Sequence, residues 1–192
     1  MDCRSEIATA VARYQAHADM AQLLARLQAI AQSATPEEII EGAEPFLEMP
    51  EVVGPLYEHV VIARPDDARA LVVLANAYWL AGRGPDVVGE LASRAIAADP
   101  EHRGAWHLWA LTESSPRERV ARWRQICERF PADELARVLL ADNAASLAGA
   151  EHDEEALALA ITTYESLLPQ TTMPAQRQAL ETAIGTLRGW RL

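Results

Sequence analysis

The chain is predicted to be all-α, an array of antiparallel helix hairpins, and three observations carry that expectation. Four prolines, Pro65, Pro100, Pro131 and Pro169, close amphipathic segments and stand 35, 31 and 38 residues apart. That spacing is near the period of roughly 34 residues found in two-helix repeat units. Between the prolines the apolar residues recur at three- and four-residue steps, which puts them on one helical face. No run alternates apolar and polar residues as a half-buried strand requires, so no sheet is expected.

The elements follow in order. From Ser5 to about Gln32, the residues Ile7, Val11, Tyr14, Met20, Leu23, Leu24, Leu27 and Ile30 form one stripe, and His17 to Asp19 is where it could break. Thr35-Pro36-Glu37-Glu38 combines an N-cap threonine, proline at the first helical position and a glutamate three residues after the cap, so a helix is expected to about Glu48. Gly54-Pro55 conflicts with the helical pattern of Pro50 to Ala63, because proline lacks a backbone donor, and the main helix is expected to start at Pro55.

Asp66-Asp67 caps a helix to Leu80, with Gly82 supplying the left-handed turn after it, and Gly84-Pro85 opens its partner. A third pair spans Glu101 to Glu113 and Pro116 to Arg129, the second opening with a capping box from Ser115 to Glu118. The fourth runs from Asp133 to Ala148 and, after a turn at Gly149, from Asp153 to Leu168; a last helix covers Pro174 to Trp190. The organisation expected is one structural domain: residues 1–34 an N-terminal helical segment, 35–169 about four hairpins, and 170–192 a C-terminal capping helix.

Composition narrows the function. The 192 residues are 50% apolar, enough for a continuous core. The formal net charge of −11 opposes a general nucleic-acid binder, whose surface must neutralise phosphates, and favours basic or apolar partners. All 17 basic residues are arginine, which removes a phosphate-loop lysine, a Schiff base and a lysine general base. Cys3 and Cys127 are far apart in sequence, as in a reducing compartment. The start, Met1 to Glu6, lacks the pattern of a signal peptide, and no stretch approaches 18 uninterrupted apolar residues, so a cytoplasmic protein without membrane insertion is expected.

The stretch from Ala68 to Pro100 resembles a tetratricopeptide repeat (TPR) through Leu71, Leu74, Ala75, Tyr78, Gly82, Val88, Ala92, Ala95 and Pro100. Trp106, Trp109, Ala110 and Pro131 carry a degenerate following unit. Leu140, Ala141, Ala144, Gly149, Ala156, Ala160 and Pro169 carry the fourth, while the first keeps chiefly Val53, Tyr57, Val60 and Pro65. The resemblance covers roughly residues 35–169 and implies a right-handed superhelix whose first helices line a concave face.

Carried over by position, that face comprises Arg69, Val72, Asn76 and Trp79 in the second unit, then Gly104, His107, Leu111 and Ser114, then Leu135, Val138, Asp142 and Ala145. The groove implied is largely apolar, with Trp79, Leu111 and Val138 as anchors and Asn76 orienting a ligand backbone. A carboxylate clamp of the kind some TPR proteins use is rejected, since Val72, Gly104 and Leu108 stand where cationic groups are needed.

Helix Pro116 to Arg129 holds five arginines interleaved with Glu118 and Glu128, which reads as a solvated face with internal pairs. The acidic run from Glu151 to Glu155 lacks the order of a calcium loop and suits a helix N-terminus. His102 and His107 have the wrong spacing for two ligands on one face. No metal, cofactor or catalytic constellation is expected. The function expected is a scaffold or adaptor that holds a protein or peptide in the groove. A small acidic secretion chaperone, similar to those of type III secretion, is the runner-up, and a helical enzyme using Asp142, His107 and Glu113 is the alternative from another class. Homo-oligomerisation through Leu187, Trp190 and Leu192 is also open.

Overall fold

The computed structural model describes residues 2–191, so Leu192 of the proposed self-association patch lies outside the described residues. Those residues form eleven α-helices, two short 3₁₀ turns and no strand. The chain divides into two compact units, Met1–Thr112 and Glu113–Leu192. The first holds α1 (Cys3–His17), α2 (Met20–Ser33), α3 (Pro36–Ala43), α4 (Pro50–Ala63), α5 (Ala68–Leu80), α6 (Pro85–Ala98) and α7 (Arg103–Leu111). The second holds α8 (Pro116–Arg129), α9 (Glu134–Glu151), α10 (Glu154–Leu167) and α11 (Pro174–Arg188). None of these helices is long and apolar enough to cross a membrane.

In the N-terminal unit the 1–34 segment is itself a hairpin. Ala18 adopts a left-handed backbone (φ 54°) and Asp19 caps α2 by accepting from the Gln22 N–H, so the stripe breaks where His17 to Asp19 allowed it. Helix α1 packs on α3 and α2 on α4, and α4, α5, α6 and α7 then follow in sequence, each against the next. Gly42 makes the first of these contacts close: a Cβ there would stand 3.0 Å from Ile7 Cδ1 and 3.2 Å from the Arg4 backbone. The core gathers Leu27, Ile39, Val52, Leu56, Val60, Leu71 and Val88, with Ala75, Ala92 and Ala95 fully buried where α5 meets α6. Small residues there let the two backbones approach.

Capping chemistry behaves largely as the sequence dictates. The Thr35/Glu38 box closes in both directions, and Asp67 accepts from the Ala70 N–H at 3.0 Å. At α8 only half the box forms. Ser115 Oγ accepts from Glu118, but the Ser115 N–H donates to Glu113 Oε1 at 2.9 Å instead of to Glu118.

Two boundaries correct the sequence expectations. Helix α4 begins at Pro50, with Pro55 inside it. Gly54 explains this, because the collision that keeps a pre-proline residue out of the α region involves its Cβ, and glycine has none. Helix α3 ends at Ala43 rather than near Glu48, since Pro45 has no N–H for Glu41, and the chain tightens into the 3₁₀ turn Glu44–Phe46.

In the C-terminal unit α9 packs on α8 and α10, and α11 on α10. The core is Val120, Trp123, Ile126, Leu140, Ala144, Ala160, Tyr164, Ile184 and Leu187. Gly149 is not the turn between α9 and α10: α9 continues to Glu151, and His152 takes the left-handed conformation (φ 55°). Gly149 instead seats an aromatic ring, since a Cβ there would stand 3.2 Å from Trp190 Cζ3.

Candidate binding cleft

Helix α3 carries Glu37, Ile40 and Glu41 on one face, the helical i, i+3, i+4 spacing. With Glu44 and Leu47 just after it, Tyr57 of α4, Arg64, and Arg69 and Val73 of α5, they line an open cleft of 360 Å³ within the N-terminal unit. Ile40 and Val73 are half-buried against the core, and Tyr57 is 4% exposed, so the floor is apolar and fixed. Leu47 remains 38% exposed.

Charge sits on the walls. The Arg64 guanidinium pairs with Glu37 and lies 3.8 Å from Asp67. Burial pushes the Tyr57 phenol above its ordinary value; the Arg69 charge opposes this, and Asp67 and Glu44 add to it. The phenol therefore stays protonated and neutral at physiological pH. The cleft thus sets half-exposed aliphatic surface beside charged walls.

Of the residues expected to line a groove, Arg69 is in the cleft. Val72 is not available: it is 7% exposed, and its Cγ1 stands 3.5 Å from where a Cβ on Gly104 would be. These two positions face each other where α5 meets α7, so they form packing instead of ligand surface. Asn76, Trp79 and Leu111 are exposed outside this cleft, Trp79 at 40%, and His107 is half-buried. In the C-terminal unit Leu135 is exposed while Val138 and Ala145 are half-buried.

Asp142 accepts a hydrogen bond from the Tyr164 hydroxyl, and Glu113 pairs with Arg122 at 2.6 Å. Both carboxylates of the enzyme alternative thus have partners in their own unit. Two further arginines of α8 are engaged: Arg117 bridges Glu151 (2.5 Å) and Asp153 (2.9 Å), and Arg119 Nε donates to the Glu113 carbonyl at 2.7 Å.

Five of the nine lining residues are charged, and only Arg69 is shared with the largely apolar groove expected from the sequence. Glu37, Ile40, Glu41, Glu44, Leu47, Tyr57, Arg64 and Val73 were missed. A signal for four of them exists in the sequence. Glu37, Ile40, Glu44 and Leu47 precede Arg69, Val72, Asn76 and Trp79 by 32 residues each, so α3 with its 3₁₀ turn is the repeat counterpart of α5.

Successive helix hairpins with small residues at the packing positions define a tetratricopeptide-type, all-α helical repeat fold. Solved structures share it. Two crystal structures of MamA are similar, one at 14% identity over 80% of this chain and 91% of that chain (TM-score 0.58), the other at 12% over 89% and 96% (TM-score 0.60). TTC0263, a thermophilic TPR protein in Thermus thermophilus, is 16% identical over 96% of this chain and 98% of its own (TM-score 0.56). No family model and no curated protein matches the chain.

Proposed function

We propose that this TPR-type scaffold is an adaptor that holds a segment of a partner protein in the cleft between α3, α4 and α5. The supporting observation is Leu47, an aliphatic side chain left 38% exposed beside a floor of buried Tyr57 and half-buried Ile40 and Val73. Covering such surface yields about 25 cal/mol per Å² before the costs of association. The function is binding rather than catalysis, and its setting is the cytoplasm.

The test compares capture of partner protein by the native chain, by Leu47→Ser and by Ile62→Ser. Ile62 is 80% exposed on α4 and outside the cleft lining. The reading requires Leu47→Ser to lose the partner while Ile62→Ser retains it. Equal capture by both variants refutes it.

A further inference from the structure

Resting on that reading, we infer that the segment held in the cleft is cationic, an amphipathic stretch that lays aliphatic side chains on Leu47 and Val73 and sets arginine or lysine against Glu41 and Glu44. The chain from Leu27 to Ala63 contains seven glutamates and no arginine or lysine. Several of those glutamates are spoken for: Glu37 by Arg64, Glu38 by the Thr35 cap and Glu58 by the Tyr78 hydroxyl. Glu41 and Glu44 are different. Both are exposed, both line the cleft, and no ion pair or hydrogen bond among the described residues engages either side chain.

The cations of the cleft do not cancel them. Arg64 is neutralised by Glu37 with Asp67 beside it, which leaves Arg69 alone against two carboxylates. Carboxylates at the edge of an apolar floor are screened less than those on open surface, so they attract a cationic segment and repel an acidic one. Opposite charge at a rim sets partner choice and association rate, while the aliphatic contacts supply the affinity.

The test uses labelled amphipathic peptides of about five helical turns, with leucine on one face and arginine, glutamine or glutamate on the other. Each is titrated into the full chain by fluorescence anisotropy at low and high salt. The arginine peptide is expected to bind most tightly and the glutamate peptide least. Glu41→Gln/Glu44→Gln should weaken the arginine peptide about tenfold, and Glu90→Gln/Glu128→Gln, which removes equal charge from exposed sites elsewhere, should leave it within about twofold. If the glutamine peptide binds as tightly as the arginine peptide and Leu47→Ser still abolishes both, the cleft stands and the charge inference falls. Equal loss from the two double variants means diffuse attraction and also overturns it, as does failure of every peptide to bind. Leu47→Ser leaving the arginine peptide unaffected would remove the cleft itself.

Discussion

The Tyr78 hydroxyl donates to Glu58 Oε1 at 2.6 Å, tying α5 to α4 beneath the repeat that most resembles a TPR unit. Tyr164 makes the equivalent tie in the C-terminal unit, from α10 to Asp142 of α9. Burial, first, and then the carboxylate hydrogen bond push Tyr78 from its ordinary value of 10 up to about 12. Burial likewise pushes the Cys127 thiol up to about 11.

A fall in stability with alkali follows from these shifts. A group whose folded pKa is raised contributes fully below its unfolded pKa and loses that contribution as pH rises through the folded value. For Tyr78 the window is pH 10 to 12, and with no lysine in the chain, no amine side chain titrates across it. Urea unfolding at pH 8 and pH 11 should show lower stability at pH 11. Tyr78→Phe should cost about 1 kcal/mol at pH 8 and reduce the difference between the two pH values.

Two glycines should respond to alanine with opposite sign. Gly185 lies in α11 with open space where a Cβ would go, so Gly185→Ala should stabilise by roughly 0.5–1 kcal/mol through helix propensity. Gly42 meets the Arg4 backbone, which cannot give way as a side-chain tip can, so Gly42→Ala should destabilise by about 1–2 kcal/mol. Denaturation midpoints measured side by side decide both.

Trp190→Ala should act within its own unit. The ring lies against Gly149 of α9 and, with Leu157 and Ile161 of α10, borders a surface cleft. Losing it should cost about 1–3 kcal/mol and raise hydrogen exchange in α9, α10 and α11, with α3 to α6 unchanged.

Trp79 and Leu74 share α5 but not its environment, at 40% and 3% exposure. Trp79→Ala should move the folding midpoint little, within about 0.5 kcal/mol. Leu74→Asp should unfold the N-terminal unit by placing an unpaired charge in its core. Circular dichroism on thermal melting separates the two outcomes.

What was legible in the sequence was local. Thr35-Pro36, Asp67 and Gly84-Pro85 mark helix starts because their cap oxygens, prolines and glycines act on backbone within one turn. The helical fold and the proline seams follow from the same kind of signal. What escaped reading depended on residues meeting across elements. Gly149 looks like a turn until Trp190 is found against it, and Val72 looks like groove until Gly104 is found facing it. The cleft was hidden because Pro45 cuts α3 short, so the 32-residue match of Glu37, Ile40, Glu44 and Leu47 to α5 runs through a 3₁₀ turn rather than a continuous helix.

Site-specific photo-crosslinking reads whether a partner segment lies on the α3–α4–α5 cleft. A benzophenone amino acid placed at position 47 should trap the partner protein, and the same group at position 62, on α4 and outside the cleft, should trap none. Crosslinking at 62 that matches or exceeds crosslinking at 47 would place the partner elsewhere on the chain.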